Sequence, residues 1–151
     1  MMRRVETGEA YSGEVPLDLF QGHTFREKKY LDKGAQIVLD GVRALSISPR
    51  EEIRICTGYV LSKAREVLRE RGFKVSQAKI AGETQMLAEK EFIKSLTQLG
   101  VGDDETVAAM RSFNGFLAWV KAELSTRERF VKTGWSSWPK LKSGENIDDP
   151  T

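Results

Sequence analysis

Residues 52–99 read EIRICTGYVLSKAREVLRERGFKVSQAKIAGETQMLAEKEFIKSLTQL, and the changes of period within this stretch decide the fold. Ile53 and Ile55 alternate with Arg54, which predicts a strand over Ile53–Thr57. From Tyr59 to Arg71 the period becomes helical. Val60, Leu61, Ala64, Val67 and Leu68 form one side, and Lys63, Arg65, Glu66, Arg69 and Glu70 the other, a charged face that reads as solvated. Gly72 suits the left-handed residue that ends such a helix. A second strand follows over Phe73–Ile80 and a second helix over Gln85–Leu99. Strand, helix, strand, helix is the repeating unit of a parallel sheet, so the chain is expected to be α/β.

Outward from that stretch, Lys33–Ser46 is also helical, with Ala35, Val38, Leu39, Val42 and Leu45 in one stripe. Gly41 weakens this helix by about 1 kcal/mol relative to alanine. Residues 3–31 carry glycines at 8, 13 and 22 between short runs such as Val15, Leu17 and Leu19, which predicts an antiparallel meander. Pro16 should open a strand or lie at an edge. His23, after a glycine, reads as a turn residue. The expected fold is therefore a mixed sheet with an N-terminal antiparallel meander and C-terminal parallel βα units, in a single α/β domain over residues 1–142.

Downstream, Asp103, Asp104 and Glu105 supply a cap and an acidic first turn. Val107, Met110, Phe113, Leu117, Val120 and Leu124 then recur along one stripe, predicting a helix over 103–124. Gly115 inside it marks a close contact or a kink. Trp119 falls off the stripe and suggests a second contact surface. Residues 143–151 form a polar tail, expected to be disordered or held by a partner.

Length and charge bound the function. A chain of 151 residues supports one core, and 24 basic against 22 acidic residues leave only +2, so any case for nucleic acid rests on local patches. One cysteine cannot form an internal disulfide, and no apolar run spans a bilayer. No apolar stretch follows the two N-terminal arginines as a signal peptide would require, so a cytoplasmic protein without membrane contact is expected. Abundant charge with scarce histidine and asparagine leans towards a thermophile. A single histidine excludes a multi-histidine metal site, and no zinc-type cluster is present.

Three sets of residues carry candidate chemistry. Glu89 falls inside the apolar side made by Met86, Ala88, Phe92, Ile93, Leu96 and Leu99, with Gln85 one turn earlier on the same side. Both lie near the beginning of a helix, where open parallel sheets place ligands beyond the carboxyl ends of their strands. A carboxylate there has a shifted pKa, a cation, a metal or a view of solvent through a cleft, unless it snorkels at the margin of the stripe. Cys56, Thr57 and Gly58 end the other parallel strand at the same crevice. A thiol at a helix N-terminus can be activated, and Thr57 or Gly58 can cradle an anion, whereas a lone cysteine is commonly a small buried hydrophobe.

The third set is Arg127, Arg129, Lys132, Trp135, Trp138, Lys140 and Lys142, in a segment whose one acid is Glu128. Cations beside aromatic faces make a single-strand-binding surface. The same composition makes a tail that wraps its own domain, aromatics inward and lysines outward.

The order of elements over residues 4–99 is similar to that of the ribonuclease H-like superfamily. It runs from the meander to a helix opening on Ala35-Gln36-Ile37-Val38 and closing with Arg43-Ala44-Leu45. Then come the strand Ile53–Thr57 with Gly58-Tyr59-Val60, a basic helix, a strand and a helix. The resemblance implies metal-binding acids in the first strand, at the start of the first helix, at the end of the fourth strand and early in the last helix. On this chain those positions look like Glu6 or Glu9, then Gln36, then Thr57 or Gly58, then Glu89 as the catalytic acid. Gln36, Thr57 and Gly58 carry no carboxylate. The resemblance thus implies a nucleic-acid-interacting domain degenerate in catalysis, with a divalent metal as cofactor only if it hydrolyses. The alternative is a non-catalytic interaction module that forms a homodimer through 103–124.

Overall fold

The computed structural model describes residues 1–144, and the chain divides into two compact units. Residues 1–15 and 31–109 make up the first unit. Residues 16–30 and those from 110 onward form the second. The polar tail after Gly144 lies outside the described residues. The class is mixed α and β, as the alternation of periods predicts.

The first unit is built on a parallel pair, β3 (Glu52–Ile55) and β4 (Lys74–Gln77), joined by α3 (Ser62–Glu70) after a single 3-10 turn at Tyr59–Leu61. The register sets Ile53 opposite Val75 and Ile55 opposite Gln77. Alternation puts Ile53 and Ile55 in the interior and Glu52 and Arg54 in solvent. On the outer face Ser76 Oγ donates to Glu52 Oε1 at 2.7 Å.

The covering layer comes from α2 (Lys29–Ala44) and α3. Ala35, Ile55 and Ala64 form one buried cluster; Val42, Ile53 and Leu68 form another, with Val38 and Val75 touching both. Leu68 is fully enclosed, a burial worth about 1.5–3 kcal/mol. Gly41 does more than weaken its helix: a Cβ there would sit 2.8 Å from Tyr11 Cδ1 and 3.2 Å from Met2 Sδ. The glycine lets β1 (Met2–Arg3) and β2 (Ala10–Tyr11), an antiparallel pair, approach α2.

Three helices of this unit end in the same way. After α2, Ile47 N–H donates to Val42 O and Ser46 N–H to Arg43 O; after α3, Phe73 to Leu68 and Gly72 to Arg69. After α4 (Glu83–Gln98), Val101 donates to Leu96 and Gly100 to Thr97. The left-handed residue is Gly72 and Gly100 in two of these caps, as the pattern demands, but Ser46 in the first. The unit closes with α5 (Asp104–Ala109), where Asp103 Oδ1 accepts from Thr106 N–H at 2.8 Å as the expected cap.

Several expectations are corrected. The meander reduces to β1 and β2, and among the described residues the mixed sheet is replaced by two separate two-stranded sheets. Leu17–Phe20 is a 3-10 turn opened by Pro16, and His23 lies in α1 (Gly22–Arg26) and not in a hairpin. Arg65, assigned to the solvated face, is 9% exposed. The helix expected over 103–124 is interrupted: α5 ends at Ala109, and α6 (Phe113–Ala122) starts afresh in the second unit. Extended Ser112 breaks it, its Oγ accepting from Gly115 N–H at 2.9 Å as an N-cap.

The second unit contains α1, α6, α7 (Leu124–Arg127), a 3-10 turn at Glu128–Phe130 and α8 (Trp138–Ser143). Its core is Val120, Trp138 and Leu141, surrounded by Leu117, Trp119, Leu124, Val131 and Trp135. Tyr30 stacks between Phe20 and Phe25, both ring centroids at 5.2 Å. Gly134 lies against Phe25, where a Cβ would meet Cγ at 2.7 Å. No helix of the described residues is long and apolar enough to cross a membrane.

Candidate functional site

The C-terminal segment is organised by Glu128. Trp138 Nε1 donates to its Oε1 at 2.7 Å, and Lys142 Nζ lies 3.0 Å from the same oxygen. Those two donors hold the Glu128 carboxyl below its ordinary value, the indole hydrogen bond first. Trp138 is buried, and half-buried Trp135 packs against the same core. The wrapping arrangement accounts for Trp138.

The cations lie differently. Arg127 stands 4.3 Å over the Trp119 ring, donates to Trp119 O at 2.7 Å and pairs with Glu123 at 3.1 Å. It is a structural arginine. Arg129 stands 4.8 Å over Phe130 and Lys132 4.7 Å over Phe25, and both residues are exposed. Aromatic faces thus hold these two cations at the surface without neutralising them. Lys140 is exposed on α8, while Lys142 is committed to Glu128.

The second unit, which continues to Thr151, carries ten Lys and Arg against seven Asp and Glu, and the first carries fourteen against fifteen, so the charge difference between them is small. Within the second unit, residues 16–30 and 110–144 contain all ten Lys and Arg and four of the Asp and Glu. Three of these four acids are engaged, Glu27 with Lys29, Glu123 with Arg127 and Glu128 with Lys142. The local excess therefore falls on residues such as Arg26, Lys121, Arg129, Lys132 and Lys140. Arg26 and Lys121 were not singled out in the sequence, because their shared unit joins segments more than eighty residues apart.

The crevice residues of the first unit are less concentrated. Glu89 is half-buried on α4 and accepts from Gln85 Nε2 at 3.0 Å, so these two meet as their spacing predicts. Gln85 itself is exposed, and α4 contributes no buried residue. Gln36 is exposed on α2 and donates to Asp40 Oδ1 at 2.9 Å, a bond within its own helix. With Arg43, it holds the Asp40 carboxyl below the usual range, the arginine acting more strongly.

Cys56 is a half-buried free thiol, and Thr57 and Gly58 are exposed at the end of β3. Glu6 and Glu9 lie exposed in the turn between β1 and β2, where Glu9 Oε2 accepts from Thr7 Oγ1 at 2.8 Å. Among the described residues no three His, Cys, Asp or Glu are grouped to hold a metal ion. The donor set that two-metal phosphoryl chemistry requires is not assembled there.

A depression of about 530 Å³ is lined by Leu31, Ser62, Lys63, Glu66, Arg69 and Glu70. Its charges alternate, and Lys63 is paired with Asp32, which raises the lysine above its ordinary value. Such a surface favours no one sign of ligand. The chain matches no known protein family, no curated protein and no solved structure.

Proposed function

We propose that the second unit is a nucleic-acid-binding module that acts by contact and not by hydrolysis. The observation that carries the reading is the exposed set Arg129 and Lys132, each over an aromatic ring, with Lys140 on α8. Ten basic residues share the unit with seven acids, and among its described residues Glu27, Glu123 and Glu128 are paired with Lys29, Arg127 and Lys142. A phosphate backbone is the ligand such a surface attracts, through displacement of counterions by lysine and arginine. Arg129, Lys132 and Lys140 are the contacts expected to contribute most. Likeness to the ribonuclease H-like arrangement is part of the proposal only through the succession α2, β3, α3, β4, α4. Hydrolysis would require Glu89 to act as a metal ligand with Glu6 or Glu9.

The experiment is titration of a labelled single-stranded oligonucleotide at low salt, with amide chemical shifts followed in parallel. Binding that perturbs residues 16–30 and 110–144 supports the reading. No binding at low salt removes it.

A second reading, association with another copy of this chain, is favoured by one feature of the first unit. Met86 and Phe92 on α4 are 68% and 43% exposed, and Leu99 after it is 38% exposed. Exposed large apolar residues on one helix are characteristic of a contact surface. Sedimentation of the wild type and of Met86→Glu tests it: a concentration-dependent mass lost in the variant supports association, and a constant monomer mass removes it.

A further inference from the structure

The first unit buries one guanidinium without giving it a counter-charge. Arg65 projects from the first turn of α3 and is 9% exposed. Its Nη1 donates to Cys56 O at 2.7 Å and to Gly58 O at 3.1 Å. These bonds tie the start of α3 to the end of β3, but carbonyls are dipoles, not charges, and a buried cation is costly to leave unmatched. Among the described residues no carboxylate lies within ion-pair distance of it.

The other edge of the group, Nε and Nη2, makes no hydrogen bond among the described residues. Neither is sealed from solvent, since Arg3 Nε alone is both enclosed and unbonded there. Nε–H and one Nη2–H point the same way, and this fork matches two oxygens of a carboxylate or phosphate. It lies at the carboxyl end of a parallel strand, beside exposed Thr57 and Gly58.

We propose that Arg65 anchors an oxyanion-binding site at the end of β3, receiving the phosphate or carboxylate group of a small molecule side-on against Nε and Nη2. Nη1 keeps the two carbonyls and so holds the fork in place. The site is independent of the cationic surface on residues 16–30 and 110–144.

The test is a ¹H–¹⁵N titration of the whole chain with inorganic phosphate and, separately, with acetate at constant ionic strength. A saturable shift of the Arg65 Nε–H resonance with the Thr57 and Gly58 amides supports the site. The anion that saturates it identifies the group as phosphoryl or carboxylate. Arg65→Lys, which keeps the charge but not the fork, is expected to weaken that binding by roughly tenfold or more. Arg65→Gln should abolish it. No saturable shift with either anion in the wild type overturns the proposal, as do shifts confined to Arg129, Lys132 and Lys140. Equal affinity in a folded Arg65→Lys also overturns it.

Discussion

The Trp138 indole donates to Glu128 Oε1 at 2.7 Å, and this bond joins the buried face of α8 to the turn that follows α7. Trp138 is 5% exposed, so its N–H has little access to water once Glu128 is removed. Glu128→Ala is expected to cost about 1–3 kcal/mol, the penalty of an unsatisfied buried donor. Glu128→Gln, which retains an acceptor, should cost less. Urea denaturation followed by tryptophan fluorescence separates the two.

The same carboxylate sets an acid limit. Its folded value lies below the ordinary 4.5 because Trp138 and Lys142 favour the ionised form. The stability it contributes is therefore fully present above about pH 4.5 and is lost as pH falls through the lower folded value. An acid titration of Glu128→Gln should lack this component of the wild-type loss. An unchanged profile would show that Glu128 does not contribute it.

Ser46 occupies, at φ 50°, the capping position that Gly72 and Gly100 fill at the ends of α3 and α4. A side chain in the left-handed region is strained, and the two neighbouring caps show the residue the geometry prefers. Ser46→Gly is predicted to stabilise the first unit by roughly 0.5–1 kcal/mol after the greater chain entropy of glycine is counted. The midpoint of chemical denaturation should rise at constant slope; a fall contradicts the cap as described.

Gly134→Ala tests the opposite case. The added Cβ meets Phe25, whose ring also receives Lys132 and stacks on Tyr30. Overpacking here is expected to cost about 1–3 kcal/mol. A chemical-denaturation midpoint equal to the wild type would show that Phe25 yields freely.

The parts of this fold that were legible in the sequence are those where local period and tertiary burial agree. Ile53 and Ile55 alternate and are buried; Ala64 and Leu68 lie one helical turn apart and are buried; Gly72 ends the helix between the strands. Residues 17–26 misled because Val15, Leu17 and Leu19 alternate by composition, while Pro16 in fact opens a 3-10 turn. Ser112 was an overlooked helix cap within an otherwise continuous stripe. Arg65 was assigned to solvent by its charge, although it lies next to Ala64 and three residues before Leu68, the two most enclosed positions of α3. At the candidate nucleic-acid surface the cations of 127–142 were legible as composition. That Trp138 turns inward and Trp135 is half-covered while Arg129 and Lys132 stay exposed depends on a core shared with α6, which spacing alone does not encode.

The proposed binding of nucleic acid by residues 16–30 and 110–144 rests on phosphate contacts made by Arg129, Lys132 and Lys140. The direct measurement is the slope of log Kobs against log salt for a single-stranded oligonucleotide, in the wild type and in Arg129→Gln/Lys132→Gln/Lys140→Gln. Each lost contact should reduce the slope by about 0.7, so the triple variant should fall by roughly 2. An affinity independent of salt, or a slope unchanged in the triple variant, would contradict the account.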